Sequence, residues 1–333
     1  MTDLLTSRVV PAGSRIRGVG AFRPARIVYN DEICGPIDST DEWIRKRSGI
    51  VSRHVAGPQE TIPDMAVAAG TAALADAGVT AGDVDAVLVA SMSYLYQSPP
   101  AAPVIAERLG AKGAAAFDIG AACAGFCHSL AVADALVRGG TARNVLVIGA
   151  ERMTDIIDPK DRSTAFLFGD GAGAVLVGPA PDAGIGPVVW GSDGTRSDLV
   201  AHDDSWLGVR DKPEAWPYMR MSGPEVFRWA IQEVTAVARG AVEAAGVSVG
   251  DLAAFVPHQA NARIIERMAR DLRLGDPTAV ARDVERSGNT SAASIPLALE
   301  ALLTAEPGRS GGLALLIGFG SGLSHAAMVV RLP

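Results

Sequence analysis

The sequence predicts an α/β fold written twice, a layered α/β/α/β/α sandwich with halves at residues 1–180 and 181–333. Ala77-Gly-Val-Thr-Ala-Gly-Asp-Val-Asp-Ala-Val-Leu-Val returns 168 positions later as Ala245-Gly-Val-Ser-Val-Gly-Asp-Leu-Ala-Ala-Phe-Val-Pro. At a separation of 169, Asn144-Val-Leu-Val-Ile-Gly falls near Leu313-Ala-Leu-Leu-Ile-Gly, again an apolar strand closed by glycine. Within each copy, helical stretches alternate with short continuous apolar runs, the pattern of a parallel-rich sheet covered on both faces.

Taken in order, Thr61 to Ala77 reads as a helix, with Thr61 as its cap, Pro63 in the first turn and Gly78 as its stop. Ala86 to Ala90 and Ala114 to Ile119 are short apolar runs of the kind that form buried strands. After Cys123, the residues Phe126, Leu130, Ala133 and Val137 recur at helical spacing until Gly139-Gly140. Phe255-Val-Pro-His258 reads as a strand end, followed by an amphipathic helix from Ala262 to Leu272. Asn289 opens another helical stretch. In such folds chemistry sits at the carboxyl ends of strands, beside helix N-termini.

The chain has 333 residues, 48% of them hydrophobic, enough for a large core and too apolar for disorder. No apolar run reaches the roughly 18 residues of a membrane span. The N-terminus lacks the pattern of a signal peptide, so a soluble cytoplasmic protein is expected. A net charge of −7 argues against nucleic acid or an acidic membrane as the main partner. Of the 30 basic residues 26 are arginines, which bind phosphate with a bidentate fork, although a GC-rich genome gives the same bias. Cys34, Cys123 and Cys127 cannot form a disulfide framework in so long a chain, so an interesting cysteine is a free thiol.

Cys123 follows a strand and starts a helix, where the free N–H groups of the first turn favour a thiolate and lower the pKa. Position alone leaves it either a nucleophile or a small packed cysteine. Cys127, one turn further in and before His128, reads as packing, and no second ligand pair completes a metal site with these two thiols. His258 is either a strand-end catalytic imidazole or a turn histidine. Asn289 is either a functional amide or an N-cap.

Together these residues resemble a family. Ala122-Cys-Ala-Gly-Phe, His258-Gln-Ala-Asn, Gly288-Asn-Thr-Ser-Ala-Ala-Ser, Phe168-Gly-Asp-Gly-Ala-Gly-Ala, Gly318-Phe-Gly-Ser-Gly and Thr40-Asp-Glu-Trp-Ile-Arg-Lys-Arg-Ser-Gly-Ile are similar, in order, to motifs of β-ketoacyl-acyl-carrier-protein synthase III. The resemblance implies a duplicated thiolase-like five-layer fold, a homodimer, and an acyltransferase that condenses an acyl-CoA primer with malonyl-acyl-carrier-protein to start fatty-acid or type II polyketide synthesis. It implies Cys123 as nucleophile and His258 and Asn289 as hydrogen-bond donors to the malonyl thioester. The N–H groups of Cys123 and Ser321 would form the oxyanion hole. Trp43 and Arg162 would sandwich the CoA adenine, with Arg47 near its phosphates and Gly223, Phe227 and Asn261 along the pantetheine. Ser98 and Phe319 would shape the primer pocket, and Arg228, Arg263, Arg267 and Arg270 would dock an acidic carrier protein. No metal or tightly bound cofactor is implied.

Four features depart from the family pattern. Pro224 stands where asparagine is frequent, Ser321 replaces glycine or alanine, the 202–221 stretch is short, and Ser98 is small where a bulky residue limits the primer. They leave the primer and the pathway open. A papain-like protease shares a cysteine, histidine and asparagine but not the duplication or the glycine motifs. A non-enzymatic acyl-binding relative would need no nucleophile. Acyl transfer from Cys123 to an alcohol, an amine or a carrier protein without decarboxylation stays as the alternative reaction.

Overall fold

The computed structural model describes residues 10–212 and 216–333. The leader-free reading of residues 1–9, and positions 213–215 of the short 202–221 stretch, lie outside the described residues. Ten strands build two five-stranded sheets: β1 (Gly13–Phe22), β2 (Ala86–Ala90), β3 (Ala115–Asp118), β4 (Val145–Arg152), β5 (Asp170–Ala180), β6 (Val189–Ser192), β7 (Leu252–Pro257), β8 (Ala279–Val280), β9 (Leu313–Gly320) and β10 (Ser324–Arg331). The first sheet runs β1-β5-β4-β2-β3 and the second β6-β10-β9-β7-β8, so adding five to each label turns one into the other. In each, the β2-type, β3-type and β4-type strands are parallel and the β5-type strand is reversed.

The helices that matter here are α1 (Asp41–Ser48), α2 (Ile62–Ala77), α3 (Ala101–Leu109), α4 (Gly125–Arg138), α5 (Gly223–Trp229), α6 (Thr235–Ala244), α7 (Ala262–Leu272) and α8 (Ser294–Ala305). Alternate residues of β2 go to opposite faces: Val87 and Val89 pack with α2 and α3, Ala86 and Leu88 with α4. The inner faces of both sheets close on α4 and α8, while α6 and α7 cover the outer face of the second sheet. This is the five-layer α/β/α/β/α sandwich. Cys127 is wholly buried in the central layer, as packing requires.

The helix boundaries follow local chemistry. Thr61 caps α2 in a reciprocal box with Asp64, Pro63 sits in the first turn, and Gly78 ends the helix in the left-handed region at φ +63°. Phe126, Leu130, Ala133 and Val137 all face the core from α4. One expectation fails. The Ala114–Ile119 run, expected to be a buried strand, forms β3 at the end of its sheet, with Phe117 41% exposed. Its free edge has no neighbour among the described residues, and apolar residues there need another surface to cover them.

Candidate active site

Both sheets deliver their carboxyl ends to one place. Ala122 takes a left-handed φ of +44°, a conformation that costs an L-residue about 1–2 kcal/mol, and Cys123 follows in a single tight turn before α4. Gly320, at the end of β9, lies directly against it: a Cβ there would stand 2.7 Å from Cys123 Cβ and 3.0 Å from its sulfur. His258 follows β7, and its backbone N–H donates to Ile317 O at 2.7 Å. Asn289 lies ahead of the turn that leads into α8 and bridges to Phe168.

Cys123, His258, Asn289, Phe319 and Ser321 line one cavity of about 40 Å³, with walls from Val200, Met219, Met221 and Val226. A wider cavity of about 350 Å³ shares Met221, Val226, Ala260 and Asn289 with it and opens outward past Arg47, Gly223, Phe227 and Asn261. The two cavities adjoin through these shared residues, the wider one on the outer side of the cavity that holds the thiol. Phe319 meets the His258 ring edge-on, centroids 5.3 Å apart.

The orientation of each polar group can be read from its partners. Asn289 Oδ1 accepts the Ser291 N–H at 2.9 Å, which turns the amide N–H₂ away from that contact. His258 Nδ1 lies 2.7 Å from Ser294 Oγ, which also accepts the Gln259 N–H. The assignment that gives the Ser294 proton an acceptor is donation to Nδ1, which leaves the proton of the neutral ring on Nε2. Burial holds the His258 pKa down at about 3, so the ring is neutral at physiological pH.

Cys123 corrects an expectation. Burial pushes its thiol up to about 12, opposite to the lowering expected of a helix start. The N–H groups of Cys123 and Ser321 act on the sulfur in the other direction but do not outweigh desolvation, and the negative field of Glu151 adds to the rise. The Ser291 hydroxyl also acts on the sulfur, without hydrogen-bond geometry. With no cationic partner beside the sulfur among the described residues, the resting group is a thiol.

Around the mouth, Arg162 stands 5.1 Å over the Trp43 ring, itself edge-on to Phe166 of the cavity wall. Two stacked layers need roughly 7 Å, so an adenine between them requires the arginine to swing out by ~2 Å. Asn261 caps α7 and donates to Arg47 O at 3.4 Å. Pro224 lines the wider cavity. Arg228 and Arg263 line the mouth, the first paired with Glu225 and the second over the Phe227 ring. Arg267 is paired with Asp271, and Arg270 lines a separate depression with Glu266 and Asp276. Ser98 is exposed and does not line the cavity at Cys123. Residues of the 202–221 stretch do: Met219 and Met221 form its wall, and the Ser321 hydroxyl donates to Val200 O at 2.6 Å. Sequence reasoning missed Ser294 and Glu151. The first stands in the quoted Gly-Asn-Thr-Ser-Ala-Ala-Ser motif, and the second is a lone charge after six buried residues of β4.

The family model described as 3-oxoacyl-[acyl-carrier-protein (ACP)] synthase III matches residues 117–194, and its C-terminal counterpart matches 242–332. The chain is 51% identical to beta-ketoacyl-[acyl-carrier-protein] synthase III 1 of Streptomyces coelicolor, over all of both chains. It is 50% identical to beta-ketoacyl-[acyl-carrier-protein] synthase III of Streptomyces glaucescens, over 98% of this chain and all of the relative. Among solved structures, the priming beta-ketosynthase from the R1128 polyketide biosynthetic pathway superposes with a TM-score of 0.97 at 49% identity, over 99% of each chain. With the thiol, the imidazole and the amide in one cavity on this fold, the chain belongs to the 3-oxoacyl-[acyl-carrier-protein] synthase III family.

Proposed function

We propose that Cys123, His258 and Asn289 carry out a decarboxylative Claisen condensation between an acyl-CoA primer and a malonyl-acyl-carrier-protein. The convergence of these three side chains in one cavity is the observation that supports it. In the first step the Cys123 sulfur forms a thioester with the acyl group while the CoA–carbonyl bond breaks, and the thiol proton ends on the departing CoA sulfur. The N–H groups of Cys123 and Ser321, both near the sulfur, suit the oxyanion of that step.

In the second step the malonyl group loses CO₂. The electron pair left behind forms an enolate, whose carbon attacks the Cys123 thioester and releases the sulfur as thiolate, which takes up a proton from solvent. His258 Nε2–H and the Asn289 amide donate to the thioester oxygen as its charge grows. A neutral imidazole suits this role, and burial keeps it neutral. Atoms and charge balance without a metal or a tightly bound cofactor.

The 1–180 half would supply the nucleophile and the 181–333 half the two donors. Trp43, Arg162 and Arg47 would hold the CoA head group, with Gly223, Phe227 and Asn261 along its arm. Arg228 and Arg263 would meet an acidic carrier at the mouth, joined from the next turns of α7 by Arg267 and Arg270. The free edge of β3, with the 41%-exposed Phe117, fits the interface of a homodimer, measurable by light scattering. Three free cysteines suit the reducing cytoplasm.

Incubation with acyl-CoA and malonyl-carrier protein should yield the 3-oxoacyl-carrier product and CO₂. Acyl transfer to the carrier or to another acceptor without CO₂ would replace this reading with simple transfer.

A further inference from the structure

Glu151, at the end of β4, is fully buried beside the candidate site, and the scheme above gives it no part. Its carboxylate accepts from two places. One is the loop after β2: Ser91 Oγ at 3.1 Å, the Met92 and Ser93 N–H groups at 3.1 Å each, and the Ser93 hydroxyl. The other is the turn after Asn289, where the Ala292 N–H donates at 3.3 Å.

The internal repeat explains the placement. At the separation of 169, Cys123 corresponds to Ala292 and Ala122 to Ser291. The backbone agrees: Ala122 has φ +44° and Ser291 φ +47°, each opens a single tight turn, and α4 and α8 follow at once. Gly149 and Gly318 correspond as well, and each packs against the other half's turn, where a Cβ would meet Ala292 O or Cys123 O. The second half therefore carries its own copy of the nucleophile turn, with a methyl group in place of the thiol.

The partners of the two turns are exchanged in size. Gly320 faces Cys123 and leaves room for its side chain. Its counterpart by the repeat is Glu151, which faces Ala292 and fills the equivalent space with a carboxylate. At the first turn the Cys123 and Ser321 N–H groups lie near a sulfur; at the second the Ala292 N–H donates to a carboxyl group whose pKa burial pushes up.

The next N–H back along the second turn, that of Ser291, is the one that fixes the Asn289 amide. We propose that Glu151 is a positioning residue for decarboxylation: its carboxylate occupies the second half's copy of the nucleophile turn and keeps Asn289 in its donating orientation. This rests on the reading of Asn289 as a donor to the malonyl thioester. Losing the anchor leaves the Ala292 N–H buried without a partner, in a turn whose Ser291 already holds an unfavourable backbone conformation.

A double-mutant cycle tests it, with two half-reactions read separately: acyl loading of Cys123 by intact mass, and CO₂ release from malonyl-carrier protein. Glu151→Asp shortens the anchor while keeping its carboxyl group. It should slow CO₂ release about tenfold and leave loading within about threefold of wild type. In an Asn289→Ala background it should slow CO₂ release less than twofold, because the residue it positions is gone. Ser93→Ala, which removes one donor to the carboxylate without touching the turn, should show the same pattern at smaller amplitude and serves if Glu151→Asp does not fold. Additive losses, equal losses in both half-reactions, or no loss in CO₂ release would overturn the proposal. A wild-type protein that neither loads nor releases CO₂ would instead overturn the reading of the reaction.

Discussion

Gly320→Ala is the sharpest perturbation of the nucleophile that leaves its chemistry untouched. The added Cβ would lie 2.7 Å from Cys123 Cβ and 3.0 Å from its sulfur, against the 3.5–4.0 Å of an ordinary carbon contact. One of the two residues must therefore yield by about 1 Å. β9 is buried along nearly its whole length, paired with β7 as far as Ile317 and with β10 through Gly320, so the Cys123 side chain is the part freer to move. A nucleophile displaced by about 1 Å from its attack geometry loses on the order of 100-fold in rate, and the overpacking costs about 1–3 kcal/mol of stability. The assay is the rate of acyl loading on Cys123 by intact mass, with a denaturant titration to measure folding separately. Gly35→Ala is the control, since a Cβ there meets nothing within 4 Å. Loading within threefold of wild type by a folded Gly320→Ala protein would refute the argument that this contact sets the position of the thiol.

Asn289→Ala should lower CO₂ release by about 100- to 1000-fold while acyl loading changes little, because the amide acts on charge that develops only in the second step. His258 should make stability pH-dependent: its folded pKa is about 3 against an ordinary 6.5, so between those values the unfolded chain binds a proton the folded protein does not. That contribution is complete above about pH 6.5 and is lost on acidification by up to ~1.4 kcal/mol per pH unit. Urea titrations of wild type and His258→Gln should diverge by about 0.7 kcal/mol between pH 7 and 6 and by about 1.2 kcal/mol between pH 6 and 5. Ser321→Ala removes the hydroxyl that ties its turn to Val200 O and should cost about 1 kcal/mol in the same titration. Trp43→Ala should raise KM for acyl-CoA about tenfold at nearly constant kcat, since stacking on the adenine would act equally in ground and transition states.

Much of the architecture was legible because it rests on local signals. Thr61, Pro63 and Gly78 bound α2 by capping chemistry, and the repeat at 168–169 positions foreshadows two sheets of one topology. Cys123, His258 and Asn289 could be found because each follows a strand or leads into a helix within a recognisable motif. What could not be read depends on tertiary surroundings. The expected pKa of Cys123 had the wrong sign because a helix start is visible in sequence and full burial is not. The β3 run is apolar whether a sheet covers it or only its edge is free. Glu151 draws donors from 60 positions before it and 141 after it, and no local pattern announces such a cage. Only its alignment with Gly320 at the repeat spacing held a clue.

Intact-protein mass measurement after incubation with a panel of acyl-CoAs, wild type beside Cys123→Ala, tests the central claim most directly. The mechanism predicts a gain of one acyl group on the wild type and none on the variant, with the relative rates naming the primer. Loading that persists in Cys123→Ala, or no loading of the wild type by any acyl-CoA, would contradict it.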